Sequence, residues 1–197
     1  MEPYKDEHPL GFLFHPKSIA IVGISTDPYD MSRERFLRPL LDFEFSGQIY
    51  LVNRKGGEIN GLKVYPSIEE IPEKVDFVIV SVPAKFSVSI IRDCIAKGVK
   101  AVAIYSAGFS ELGTDEGKAI EVEIVQVARK GGLRIIGPNC MGLYCANSRL
   151  TYRAEYPKES GPVAFLSQSG GNTTDLVQMA APRGSSFQQN NKLRQCL

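Results

Sequence analysis

Short unbroken apolar runs, set apart by stretches with helical spacing, constrain this chain more than any other feature. Ile19 to Val22, Phe77 to Val82 and Ala101 to Tyr105 are continuous apolar segments rather than alternations. That is the pattern of strands buried on both faces, as in a parallel sheet covered by helices. Ile49 to Val52 and Arg134 to Ile136 are shorter runs of the same kind, and Lys63 to Tyr65 suits an edge strand.

The spacing predicts helices over 33–43, 87–97 and 114–130. In the second, Ile90, Ile91, Cys94 and Ile95 share a face, and Gly98 supplies a stop. In the third, Ile120, Ile124, Val127 and Ala128 form the apolar stripe. Thr114 caps it, Asp115 and Glu116 suit its positive end, Arg129 and Lys130 suit its negative end, and Gly131-Gly132 ends it. Strand and helix alternate, so residues 1–150 are expected to form an α/β domain, a doubly wound parallel sheet with right-handed crossovers.

A polar stretch over 151–161 reads as a linker. A strand over 162–166, then Ser-Gln-Ser-Gly-Gly and a helical run over 174–180, read as the opening of a second α/β domain spanning 162–183. One strand and one helix do not close a core. The expectation is therefore a truncated domain, or a piece packed on the first domain or on a partner. From Gly184 the chain reads GSSFQQNNKLRQCL, polar and aperiodic, and 184–197 is expected to be an irregular tail.

Composition excludes several classes. At 43% hydrophobic and 23% charged, the chain is too apolar to be disordered throughout. With 23 basic and 22 acidic residues, it lacks the charge for a whole-surface grip on nucleic acid or an anionic membrane. No apolar run approaches the roughly 18 residues of a membrane span, and MEPYKDEHPL has neither the basic start nor the apolar centre of a signal peptide. The four cysteines show no paired spacing and are expected to stay reduced in a cytoplasm. The two histidines, His8 and His15, lie near the N-terminus, which leaves no His-rich metal site.

The first strand ends at Gly23, where a tight turn would bring a helix start to a phosphate. A dinucleotide fingerprint needs glycine at the third and sixth positions counted from Gly23. Those positions hold Ser25 and Pro28. The acidic residue expected at the end of the second strand, to hold a ribose hydroxyl, is replaced by Asn53, followed by Arg54 and Lys55. Two adjacent cations suit a ligand with an extra phosphate. A solvated turn is the alternative.

FLFHPKSIAIVGIS, GQIYLVNRKGGEINGLKVYPSIEEIP, VDFVIVSVPA, SAGFSE, GPNCMG and SQSGG follow one another in this order. Together they resemble the nucleoside-diphosphate-forming acyl-CoA synthetases, the family of ADP-forming acetyl-CoA synthetase and of the alpha subunit of succinyl-CoA synthetase. The resemblance runs from about Leu13 to Ala180. It implies a Rossmann-like CoA-binding domain, then flavodoxin-like ligase domains, with an ATP-grasp unit on the same or a partner chain. The implied reaction converts acyl-CoA, ADP and phosphate to carboxylate, CoA and ATP through an acyl phosphate and a phosphohistidine.

By position, the resemblance places Gly23 and Ser25 at the CoA phosphates and Asn53, Arg54 and Lys55 at the phosphorylated ADP end. Val82 and Pro83 would border the nucleotide. Ala107, Gly108 and Phe109 would lie near the pantetheine arm, and Pro138, Asn139 and Cys140 near the thiol. Ser167, Gln168, Ser169 and Gly170 would offer phosphate-binding groups at a helix start. The expected ligand is coenzyme A, with an ATP-grasp subunit or domain and further copies of the chain as protein partners.

The sequence also departs from the family. A further glycine usual in the nucleotide loop is absent from TDPYDMSRER, and the catalytic histidine of the ligase domain has no counterpart in this chain. No catalytic residue is therefore assigned, and the chain alone is expected to be inactive. Cys140 lacks a nearby base and reads as a packing or ligand-lining cysteine rather than a nucleophile. Glu111 reads as a solvated carboxylate or an acid-base group, and Arg33, Arg35 and Arg38 as a solvated face or a phosphate contact. The function the resemblance implies is that of a CoA-binding subunit or fragment of an ADP-forming acyl-CoA synthetase (acyl-CoA, ADP and phosphate to carboxylate, CoA and ATP). A stand-alone CoA-binding regulatory module and an NAD(P)-dependent oxidoreductase are the alternatives.

Overall fold

A computed structural model describes residues 10–27, 29–183 and 187–192. A short helix, α1 (Gly11–Phe14), leads into β1 (Ser18–Val22). A π-helical turn, Arg33–Leu37, then runs into α2 (Arg38–Asp42). Next come β2 (Gln48–Val52), the hairpin β3 (Gly57–Ile59) and β4 (Leu62–Tyr65), and β5 (Phe77–Val80). The remainder of this unit is α3 (Ser87–Lys97), β6 (Ala101–Ile104), α4 (Asp115–Gly131) and β7 (Arg134–Ile136).

The sheet order is β3-β4-β2-β1-β5-β6-β7, parallel except for the β3–β4 hairpin. The chain builds outward from β1 in one direction and then in the other, which makes this an α/β, Rossmann-like sheet. Ile21 pairs with Leu51 on one side and Ile79 on the other. The order reverses between β1 and β5, so a crevice opens at their carboxyl ends.

Both faces of the sheet are covered, which is why its strands read as unbroken apolar runs. Ile19 and Ile21 pack with Phe36, Leu37 and Leu40 on one side. Ala20 and Val22 face the other side, with Ile91 and Cys94 of α3 and Ile124 and Ala128 of α4. Thr114 caps α4 as expected, its hydroxyl accepting from the Gly117 amide at 3.2 Å. The helix read over 33–43 differs: its first half is π-wound. Pro39 has no N–H to donate to the carbonyl four residues back, so regular winding through this junction is interrupted.

A second, three-stranded sheet has the order β8-β10-β9, built from β8 (Leu143–Cys145), β9 (Val163–Ser167) and β10 (Phe187–Lys192). Helix α5 (Gly170–Ala180) packs on it. Strand β10 corrects the reading of 184–197 as irregular. It lies between the other two strands, parallel to β9 and antiparallel to β8, so both edges of its backbone find partners. Phe187 anchors it in a cluster with Phe43, Tyr144, Tyr156 and Val177. Residues 184–186 and 193–197 lie outside the described residues.

The stretch read as a linker is also partly buried. Thr151 and Tyr156 are buried, and Tyr156 shares a 3.1 Å hydrogen bond with Thr174 of α5. Strand β8 serves both sheets. Leu143 and Cys145 join the core beneath β1, while Tyr144 turns to the second cluster.

Candidate functional site in the crevice at the head of the sheet

Gly23 ends β1 with φ +96°, and a Cβ there would lie 2.8 Å from Val82 Cγ1 and overlap the Ser81 carbonyl oxygen. The glycine therefore lets the turns after β1 and β5 touch. Its amide donates to the Val52 carbonyl at 3.0 Å, and the Ser81 amide donates to the Val22 carbonyl at 2.9 Å. These bonds fasten the turns after β1 and β5 to the strand ends.

The crevice these turns frame holds about 350 Å³. Its floor is Gly23, Val22 and Val52, and one wall is Pro66, Ser67 and Ile68. The lining continues with Val82 and Pro83, then Phe86 just ahead of α3 and Ser89, Ile90 and Asp93 on it. Asn53 and Arg54 stand at the end of β2. The Arg54 guanidinium lies 5.1 Å from the centre of the Phe86 ring, and Lys85 lies over the same ring at 5.2 Å. Phe86 thus holds two cations beside the crevice.

Asn53 organises rather than merely replaces an acid. Its side-chain amide donates to the Ile24 carbonyl at 2.7 Å, and its oxygen accepts from the Lys55 amide at 3.0 Å. The loop after Gly23 is held internally as well. The Ser25 amide donates to Ser32 Oγ at 2.9 Å, and the Ser25 hydroxyl accepts from the Asp27 amide at 3.1 Å.

The arginines that follow divide their work. Arg33 donates to the carbonyls of Ser25 and Thr26, Arg35 stacks 5.2 Å over Tyr105, and Arg38 pairs with Glu34 and Asp42. Each has a local partner.

The loops after β6 and β7 lie against each other. The Asn139 amide donates to the Ser106 carbonyl at 3.0 Å, and the Cys140 amide to the Ile104 carbonyl at 3.2 Å. This sets Asn139 beside Ser106, the residue before Ala107, and Cys140 beside Ile104. Phe109 is fully buried in the core, so it supports the loop from beneath. Glu111 closes the loop: its carboxylate accepts from the Gly108 amide at 2.7 Å and the Phe109 amide at 3.2 Å. That is a clamp on backbone donors. Cys140 is buried, and the Gly142 amide points at its sulfur at 3.4 Å. Burial likewise pushes the Cys94 thiol well above its ordinary range.

Ser167 to Gly170 sit apart on the second sheet, at the start of α5. The Ser169 amide donates to Ser167 Oγ at 3.0 Å, and Ser169 Oγ accepts from the Asn172 amide at 3.2 Å. Gln168 is exposed beside them.

The profile of the CoA binding domain matches residues 17–146, which include the whole seven-stranded sheet and its crevice. The chain belongs to that family. As a CoA-binding domain it is 43% identical over 168 residues to the alpha subunit of an ADP-forming acetate–CoA ligase of Pyrococcus furiosus. That match takes in 85% of this chain and 36% of the subunit. A trans-feruloyl-CoA synthase from an unknown prokaryote is 39% identical over 178 residues, 87% of this chain and 25% of that protein.

Among solved structures, a dinucleotide-forming acetyl-coenzyme A synthetase of Ca. Korarchaeum cryptofilum, in complex with phosphate and ADP, superposes with a TM-score of 0.83 at 36% identity. It covers 93% of this chain, which in turn spans 39% of that one. The chain thus spans between a quarter and two fifths of these relatives' length. Among the described residues no helix is long and apolar enough to cross a membrane, and no cluster of side chains could hold a metal ion.

The residues that sequence reasoning missed are on the α3 wall and its approach: Lys85, Phe86, Ser89 and Asp93. Their signal was present in the spacing of 86, 89, 90 and 93, which puts a second face on α3 beside the apolar one.

Proposed function

We propose that this chain holds CoA in the crevice between β1 and β5, as the CoA-binding part of an ADP-forming acyl-CoA ligase. The nucleotide enters between Pro66 and Ile90, its diphosphate meets the turn at Gly23 and Ser25, and its 3′-phosphate meets Arg54 and Lys55. The pantetheine arm runs past Ala107 and Gly108 toward Pro138, Asn139 and Cys140. The observation that carries this reading is the end of β2. An amide from Asn53 and a guanidinium from Arg54 border the crevice where a carboxylate would repel a phosphorylated ribose.

Residues 162–183 then open a flavodoxin-like ligase domain, and Ser167 to Gly170 receive a phosphoryl group at the start of α5. Backbone donors stabilise charge but supply no nucleophile. The phosphoryl-carrying histidine and the ATP-grasp unit come from another domain or chain, and the work is done in the cytoplasm.

Calorimetry with CoA, dephospho-CoA and NAD tests the ligand. Loss of a charge-assisted contact, worth about 1.5–3 kcal/mol, should weaken dephospho-CoA by roughly tenfold to a hundredfold. Equal affinities, or tighter binding of NAD, would overturn the reading. In an assay for ATP-dependent acyl-CoA formation the chain alone should be silent, and turnover should appear only with an ATP-grasp partner that also carries the histidine.

A further inference from the structure

Apolar and polar groups share the lining of the crevice. Pro66, Val82 and Ile90 expose apolar surface to it, with Ile68 buried behind them. Such a slot suits a flat ring. Ser89 and Asp93 lie on the same face of α3 as Ile90, and Asp93 is the one carboxylate among the described residues lining the crevice.

A carboxylate is out of place where a polyanion binds. Its charge opposes every phosphate, and it is half-buried, so water compensates it poorly. Burial, and then the neighbouring Glu69, hold its carboxyl above the ordinary aspartate range, while Arg54 pulls it back down. A group with these costs has a use at this position if the ligand brings a hydrogen-bond donor to it.

Of the parts of CoA, the adenine ring combines a flat apolar face with an edge that donates. We propose that Asp93 reads the exocyclic amine of that base and so selects adenine. The inference rests on the reading that CoA occupies this crevice. With the ring between Pro66 and Ile90, the amine donates to the Asp93 carboxylate, and Arg54 moderates the charge left over. A base with a carbonyl oxygen at the same ring position would set one acceptor against another, and a site built to receive a donor rejects such a ligand strongly.

The test uses the full chain, its Asp93→Ala and Asp93→Asn variants, and two ligands. One ligand is CoA, and the other carries hypoxanthine in place of adenine. The unaltered chain should prefer CoA by about tenfold or more. Asp93→Ala should lose about that factor toward CoA and change little toward the hypoxanthine ligand. Asp93→Asn should bind the hypoxanthine ligand better than the unaltered chain does, because its amide can face the carbonyl. Circular dichroism and a thermal melt establish that both variants are folded.

Unchanged or tighter CoA binding by Asp93→Ala would overturn the proposal, since that is what a merely repulsive carboxylate would give. Equal weakening toward both ligands would also overturn it, as the mark of a structural role. Either result leaves CoA binding by the unaltered chain intact, whereas failure of the unaltered chain to bind CoA brings down the reading beneath it as well.

Discussion

The Asn53 side chain donates to the Ile24 carbonyl at 2.7 Å, tying the end of β2 to the turn after β1. One residue therefore couples the two segments expected to meet the two ends of a nucleotide, the diphosphate at Gly23 and the 3′-phosphate at Arg54. An aspartate at this position keeps the acceptor for the Lys55 amide and loses the donor. It also sets a carboxylate against a carbonyl. Asn53→Asp is expected to cost about 1–3 kcal/mol of stability and to weaken CoA further than Asn53→Ala does. Urea unfolding with parallel calorimetry measures both. A fully stable Asn53→Asp variant would show that the bond is not needed.

Gly23 and Gly61 separate two costs of adding a methyl group. Both have positive φ, but a Cβ at Gly23 meets Val82 and the Ser81 carbonyl, whereas at Gly61 it meets nothing within 4 Å. Gly61→Ala should cost about 1 kcal/mol, the conformational penalty alone. Gly23→Ala should cost on the order of 2–4 kcal/mol and impair CoA binding, because the turns after β1 and β5 must part. Similar urea midpoints for the two variants would contradict the close approach.

Glu111 is expected to act by holding its loop rather than by moving protons. Glu111→Ala frees the Gly108 and Phe109 amides and should cost about 1–2 kcal/mol, and Glu111→Gln, which keeps an acceptor, should recover part of that. Hydrogen exchange at these two amides reports the clamp. Unchanged protection in Glu111→Ala would refute it.

Tyr152 gives a pH dependence with a definite sign. Its hydroxyl is buried with no hydrogen-bond partner among the described residues, and burial holds its pKa well above the ordinary tyrosine range. The unfolded chain therefore gives up this proton first as pH rises, so the stability it contributes is complete below pH 10 and is lost above it. Tyr152→Phe should leave stability unchanged or slightly higher near neutrality and should flatten its fall between about pH 9 and pH 11. Urea midpoints across that range check this. An identical alkaline fall in the variant would assign the effect elsewhere.

The seven-stranded sheet was legible because each central strand is buried on both faces and so must be apolar at every position, as Ile19 to Val22 are. Thr114 and the α3 and α4 patterns were legible for a similar local reason: caps and stripes act within a few residues. Gly23 stood out as the kept glycine of a known fingerprint, and Ser25, Pro28 and Asn53 as departures from it, with Arg54 next in line. Strand β10 did not, because Gln188 to Lys192 carry no apolar pattern, and their pairing comes from two strands distant in the chain. Buried Tyr156 was hidden for the same reason, since its partners Thr174 and Tyr144 lie on α5 and β8. The sequence by itself determined the order of the parallel strands and their helices, the family, and the cations at the end of β2, all properties of neighbouring residues. Only the tertiary structure decided that Asn53 bridges to Ile24, that Glu111 clamps a loop, and that Asp93 faces the crevice. Each of these depends on which distant backbone or ring lies within a few ångströms, and that distance is set by packing rather than by the order of residues.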